Sequence, residues 1–239
     1  MSSGPAAADL PRNLGDVAKV PESVAGVSVG TWLRVAILSM LGLAILPLDR
    51  TLIAWIGKDC LPGELEVLLH RVEPFGHAYG VLFIVLTLWI VARADLRQIG
   101  LLFGCSLGAG ILADVVKLFV ARYRPSALPD GLTSTFLGLR PIWDPNAFGD
   151  LFNSDHHSFP SAHTATAFGL AIALGHLYPK GRTWFLTLAI LVAFQRVAFG
   201  YHYPSDTFVG AAIGILAAGF MMRWMRVGEP NSTSRSSAA

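Results

Sequence analysis

An all-α integral membrane bundle of six transmembrane helices is the fold class that this sequence predicts, and three observations carry the prediction. Hydrophobic residues make up 53% of the 239 and charged residues only 14%, too few charges to cover a soluble globule of that length. Six apolar stretches approach the roughly 20 residues that a helix needs to cross a bilayer. A single long polar connection separates the third from the fourth, and the ionisable residues inside the spans gather at the bilayer face where it emerges. The mean hydropathy of +0.54 agrees.

Residues 1–30 are rich in Ser, Gly, Ala, Pro and mixed charge and lack the apolar core of a signal peptide, so they read as a retained, flexible tail. Residues 227–239 read the same way, which leaves 31–226 as one six-helix domain. The net charge of +2 comes from basic residues scattered singly, without the tract that nucleic acid requires. Cys60 falls in a polar connection and Cys105 inside an apolar run, so neither a disulfide nor a cysteine metal site is expected.

The spans fall at about 31–48, 76–92, 99–121, 161–178, 183–199 and 206–225. Pro47 and the embedded Arg34 shorten the first. Between the first two, Leu65, Leu68, Leu69 and Val72 follow helical spacing with Glu64, Glu66, Arg71 and Glu73 opposite, as in a helix lying in the interface or capping the bundle. Gly100, Gly104 and Gly108 form a stripe on the third span, and Gly210 with Gly214 on the sixth, where small residues let helix backbones approach. Residues 126–159 form the long connection, a lid candidate because long loops in compact domains are usually functional.

Six spans put both tails on one side. Lys and Arg number ten on the tail side and eight on the other, and three of those eight (Lys117, Arg124 and Arg196) belong to the site derived below. The remaining ten against five place the tails in the cytoplasm and the site outside, in the cell (inner) membrane.

Lys117 and Asp114 lie inside the third span and Arg196 inside the fifth; a cation at mid-bilayer costs roughly 2.5–3.5 kcal/mol, so each is a functional candidate. Counted from Ile99 at ~1.5 Å per residue, Lys117 is ~27 Å along, near the outer edge of the core. Arg124, seven residues later, shares its face if the helix continues to Pro125, and Asp114 is placed to pair with Lys117. The fourth span opens with Pro160, Ser161, Ala162 and His163, where free first-turn amides, the helix dipole and a hydroxyl make an anion site. The fifth ends in Gln195 and Arg196, followed by His202 and Asp206; a carboxylate four residues on can fix one imidazole nitrogen, although Asp206 and Ser205 also suit the cap of the sixth helix. Each feature has a structural explanation by itself. Together, three cations, a helix N-terminus, two histidines and a carboxylate on one bilayer side call for a multiply charged anion such as phosphate.

These residues resemble the type 2 phosphatidic acid phosphatase family, which also includes the vanadium haloperoxidases. Its motifs are matched by KLFVARYRP (117–125), PSAH (160–163) and QRVAFGYHYPSD (195–206). The resemblance implies that Lys117, Arg124, Ser161, Arg196 and the Ala162 amide bind phosphate, that His202 is the nucleophile oriented by Asp206, and that His163 protonates the leaving group. Two positions depart from the pattern: Ala162 stands where the family has Gly, and Gln195 where it has Ser. Alanine keeps the amide donor.

The expected function is hydrolysis of a phosphate monoester or pyrophosphate on a lipid, without metal or other cofactor, with the lipid phosphate substrate and membrane lipids as partners and no nucleic acid. A phosphotransferase would share the phosphohistidine; a transporter would explain Lys117 and Arg196 but not the spacing of His202 and Asp206. A haloperoxidase is expected to be soluble. Asp155, His156 and His157 form the one candidate zinc cluster, with solvated loop residues as the simpler reading. Phosphatidic acid, phosphatidylglycerol phosphate, a polyprenyl pyrophosphate and a lipid A phosphate all fit as substrates.

Overall fold

The computed structural model describes residues 27–57, 61–132, 134–139 and 154–227. Cys60, Trp143 and nearly all of both expected tails lie outside them.

All six apolar stretches are helical. Helix α1 (Val29–Ile45) is capped by the Ser28 side chain, which accepts from the Thr31 amide; it ends just before Pro47, but a 3-10 turn leads directly into α2 (Asp49–Ile56). Proline is tolerated there because it sits at the start of a new turn, where an amide has no partner to lose. The apolar unit therefore runs over Val29–Ile56, longer than the sequence suggests.

Helix α3 (Gly63–Val72) is the amphipathic segment. It buries Leu69 and Val72 but leaves Leu68 exposed, and with the 3-10 turn that follows it meets α4 (Ala78–Val91) at 71°. Helix α5 (Leu96–Lys117) begins with a reciprocal capping box between Asp95 and Gln98. The last three helices are α6 (Ala162–Leu177), α7 (Arg182–Ala198) and α8 (Pro204–Val227).

Helix α6 is the axis of the bundle. It packs against α5, α7 and α8, while α1 lies on α8 and α4 on α5. The core joins Val81, Leu102, Cys105, Leu170 and Val192. Large apolar residues such as Met40, Phe83, Trp89, Ile111 and Trp184 face outward instead. An outward apolar surface on a bundle with a filled core is what a hydrocarbon solvent permits and water does not. By length and composition, Val29–Ile56, Leu96–Lys117 and Pro204–Met225 can each cross a membrane, with the bent pair Gly63–Gly76 and Ala78–Val91 as a fourth candidate.

Three expectations need correction. The chain is not purely helical, because β1 (Val120–Arg122) and β2 (Phe136–Leu139) form an antiparallel pair. For the same reason the third helix does not continue to Pro125: it ends at Lys117, and the next residues take tertiary backbone partners, Tyr123 N–H on the Thr135 carbonyl (3.0 Å) and Arg124 N–H on that of Asp155 (2.7 Å). Lys117 and Arg124 thus do not share a helix face. The glycine stripe on α5 is also not the close contact: a Cβ at Gly100 or Gly108 meets nothing, and at Gly104 only the flexible Met221 side chain. The tight approach is at Gly169 of α6, which lies on the Cys105 carbonyl. The α8 pair behaves as expected, since Gly210 and Gly214 leave room for the Ser161 and Ala165 carbonyls, which a Cβ would meet at 2.5 and 2.6 Å.

Gly169→Ala should therefore destabilise the detergent-solubilised protein by about 1–3 kcal/mol, because two backbones must separate. Gly108→Ala should be neutral or stabilise by up to about 1 kcal/mol, through the lower helix entropy cost of alanine. Thermal unfolding of the two variants checks both signs; equal shifts would mean that the Gly169 contact does not limit helix approach.

Candidate active site

The site is assembled where the end of α5, the hairpin, the start of α6 and the α7–α8 turn converge. Gly200, at φ +67°, reverses the chain after α7, so that the amides of Tyr201 and His202 both reach the Arg196 carbonyl at 3.1 Å. This is why the histidine follows the arginine at a fixed short spacing.

His202 is 2% exposed. Its Nδ1 lies 2.6 Å from the Ser158 carbonyl and 3.7 Å from Asp206 Oδ2. A carbonyl only accepts, so Nδ1 carries the proton and Nε2 keeps a free lone pair. The sequence assigns the orienting role to Asp206; in the structure the direct acceptor is Ser158, and Asp206 holds Ser158 in turn by accepting its hydroxyl at 2.6 Å. Burial pushes the His202 imidazole down to about 4, against the opposing pull of Asp206, with Lys117 and Arg124 lowering it further. The ring is neutral at physiological pH.

Asp206 also accepts from the Tyr203 amide at 2.8 Å, closing the first turn of α8, so its cap role and its site role coexist. Its second oxygen meets Arg122, which enters the sequence analysis only among the basic residues counted opposite the tails. Arg122 is fully buried: Nη1 donates to Asp206 Oδ1 and to Ser205 Oγ (2.8 Å), Nη2 to Asp49 Oδ2 (2.7 Å), Nε to Thr135 Oγ1 (3.2 Å). Its plane is covered by Tyr203 and Phe136. Ser205 does not cap α8 but binds Asp49, through its amide at 3.0 Å and its hydroxyl. Asp49 and Arg122 are the main residues that sequence reasoning missed; the available signal was a charged residue at the end of an apolar stretch and an extra arginine inside the first motif.

The phosphate-binding candidates are placed as follows. Lys117, at the last turn of α5, pairs with Asp114 at 2.8 Å, as expected. Arg196 is bonded to Glu73 at 2.8 Å and stacks on Tyr201, so the amphipathic helix segment contributes an inward charge rather than a solvent-facing one. The two pairings reduce the net positive charge below the three units that the cations alone suggest. Arg124, half-buried, has its pKa lowered by burial and by Arg196, against the opposing pull of Asp155, Tyr201 and Asp206. The Nε atoms of both Arg124 and Arg196 are buried without a hydrogen-bond partner among the described residues. Ser161 caps α6, accepting from the Thr164 amide at 3.4 Å and sharing a 3.0 Å bond with the Thr164 hydroxyl. Ala162 and His163 begin the helix, where amides have no intrahelical acceptor. The Ser161 amide is taken by the Asp206 carbonyl at 3.1 Å, which ties α6 to α8.

His163 is in electrostatic reach of Arg196, His202, Lys117 and a third histidine, His77. Among the described residues no group of His, Cys, Asp or Glu converges as a metal site. In particular, His156 packs on Tyr123 and His157 pairs through its backbone with Arg122. Gln195 is fully buried with both side-chain polar atoms unpartnered among the described residues.

Comparison with known proteins places this geometry. Residues 98–228 match the family model described as the PAP2 superfamily. The chain is 27% identical to the Lipid A 1-phosphatase of Rhizobium johnstonii over 66% of its own length and 67% of the relative's, and 34% identical to that of Rhizobium etli over 47% and 44%. It is 28% identical to Lipid phosphate phosphatase 2 of Arabidopsis thaliana over 70% and 66%. Among solved structures, Aquifex aeolicus LpxE superimposes with a TM-score of 0.56 at 24% identity, over 74% of this chain and 95% of that one. The PAP2 type phosphatidylglycerolphosphate phosphatase of Bacillus subtilis gives 0.54 at 17%, over 85% and 98%.

Arg122→Met should cost about 3–5 kcal/mol of stability, because it leaves the carboxylates of Asp49 and Asp206 buried without their cation. Unfolding in detergent, compared with Arg122→Lys, measures this; an Arg122→Met protein as stable as the parent would show that the network is dispensable to the fold.

Proposed function

The chain belongs to the PAP2 superfamily, and we propose that it is a multi-pass membrane phosphatase that hydrolyses a phosphate monoester or pyrophosphate of a lipid through a phosphohistidine at His202. The observation that carries this reading is the pair of buried, unpartnered guanidinium Nε atoms of Arg124 and Arg196 beside a neutral, fixed imidazole. Buried donors of that kind are costly unless an anion completes them.

The reaction divides into two balanced steps. The Nε2 lone pair of His202 attacks phosphorus while the bond to the leaving oxygen breaks and His163 gives that oxygen a proton. Water then attacks the phosphohistidine, His163 takes back a proton, and the phosphorus–nitrogen bond pair returns to His202. As Nε2 loses electron density, Ser158 and Asp206 on the Nδ1 side stabilise the growing positive charge. The phosphoryl oxygens lie among Lys117, Arg124, Arg196, the Ser161 hydroxyl and the Ala162 amide, whose donors are fixed before the charge develops. No metal ion takes part in either step.

The finer topology rests on the six helical stretches and the basic-residue bias. Six spans with that bias put both tails in the cytoplasm and the site at the outer face of the inner membrane; the lid expected of the 126–159 connection involves residues 140–153, which lie outside those described. Helices α6 and α7, with 16 and 17 residues, are short for a span. Central burial of α6 and the polar site at its N-terminal end account for the missing turn.

Purified protein should release phosphate from dispersed phosphatidic acid or a lipid diphosphate in excess EDTA, and His202→Ala should lower turnover by at least about 1,000-fold. Loss of activity in EDTA with recovery on adding a divalent ion would overturn the mechanism. Transfer of the phosphate to an added alcohol without release would make the protein a phosphotransferase.

In a Cys60→Ser, Cys105→Ser background, Leu139→Cys, which is 80% exposed, should react in intact cells with a membrane-impermeant thiol reagent. A cysteine at Ser3 should not. The reverse labelling pattern would invert the topology.

A further inference from the structure

His77 belongs to none of the three motifs and precedes the region matched by the family model. It stands at the start of α4, immediately after the turn Glu73–Gly76. That turn is held on the site at two points. Glu73 binds Arg196, and Gly76 lies so near the His163 carbonyl that a Cβ there would come within 2.7 Å of its oxygen. His77 is therefore placed by backbone contact, not by a swinging loop. Its ring lies 5.2 Å from the His163 ring, centroid to centroid, tilted by 59°, and Tyr79 packs against it at 4.3 Å. Its Nδ1 is buried and has no hydrogen-bond partner among the described residues. A buried imidazole nitrogen costs free energy unless something bonds it, so this position calls for a hydrogen-bonding group.

We propose that His77 is a specificity-determining residue for the reaction, contacting the leaving group beside the oxygen that His163 protonates and selecting leaving groups with a hydrogen-bonding atom next to that oxygen. This rests on the phosphatase reading and on His163 as the leaving-group acid. In that reading a substrate oxygen bonded to His163 would bring its next substituent within reach of the neighbouring imidazole, 5.2 Å away from ring to ring. The matching atom is a hydroxyl on the adjacent carbon, as in a glycerol or sugar phosphate, or an oxygen of a second phosphate, as in a diphosphate. An unadorned alkyl phosphate has neither, and leaves Nδ1 without a partner in the transition state.

The test compares three substrates with the full chain in detergent: dodecyl phosphate, 1-acylglycerol 3-phosphate and dodecyl diphosphate. His77→Phe keeps an aromatic ring against Tyr79 and His163 but no polar atom; His77→Asn keeps a polar atom close to the place of Nδ1. His77→Phe should lower kcat/KM about tenfold for the substrate whose leaving group makes the contact, with less than about a twofold change for dodecyl phosphate, and His77→Asn should recover part of the loss. The first two substrates have alcohol leaving groups of similar basicity, so a change in general-acid need cannot imitate the result. A selective loss with acylglycerol phosphate identifies a hydroxyl contact, and one with the diphosphate a phosphate contact. Equal losses on all three substrates, or none on any, would overturn the proposal, and if His77→Phe does not fold, the same comparison with His77→Asn decides. A wild-type chain that releases no phosphate from any of the three would sink the phosphatase reading itself.

Discussion

The buried ion network of Asp49, Arg122 and Asp206 is the constraint on which the arrangement of this molecule rests. Two carboxylates and a guanidinium without solvent are tolerable only when every donor and acceptor is matched, and removing one partner strands the others. Here each is matched by Ser205, Thr135, Ser158 or the Tyr203 amide, with Tyr203 and Phe136 closing over the guanidinium. The network takes one residue from the start of α2, one from β1 and two from the first turn of α8. It therefore fixes the first helix, the hairpin and the last helix relative to one another. Ser158 and, through it, His202 are suspended from its edge.

A second constraint is electrostatic. Three cations close together in a water-poor site repel one another, and two of them have a carboxylate partner of their own, Asp114 for Lys117 and Glu73 for Arg196. These partners let the cluster exist before substrate arrives, and Asp114 is largely exposed, so its hold on Lys117 is screened. What the pairings leave are directional donors, the Nε edges of Arg124 and Arg196 and the first amides of α6. Burial lowers the His202 pKa in the same surroundings, as the proposed nucleophile requires.

Gln195 and Ala162 are the two departures from the family's motif pattern, and the structure treats them differently. Ala162 keeps its place as the first residue of α6, where a backbone amide without an intrahelical acceptor is available whatever the side chain. Gln195 puts a full side-chain amide in the core with neither end satisfied among the described residues, next in sequence to the arginine that faces the site. Nothing in the packing explains that substitution.

Helix positions and the multi-pass membrane setting were legible from residue order, and the candidates proposed for the site, Lys117, Arg124, Ser161, His163, Arg196, His202 and Asp206, were picked out from the same local quantities: length of apolar run, helix-start chemistry and the short spacing that the Gly200 turn imposes. The pairing of Lys117 with Asp114 was legible for the same reason, one helical turn separating them. Glu73 was misread as solvent-facing because helical periodicity ranks faces by hydrophobicity and has no means of seeing a cation about 120 residues away. Arg122 and Asp49 were missed because a buried charge looks like a surface charge until its partner is known, and their partners lie 84 and 156 residues distant, Asp206 and Ser205 respectively. The end of α5 at Lys117 and the hairpin beyond it were decided by backbone acceptors on Thr135 and Asp155, and the close contact between α5 and α6 fell on Gly169 and not on the α5 stripe. Local chemistry writes itself into short spacings; the burial of charge and the approach of backbones are properties of pairs that only the folded chain brings together.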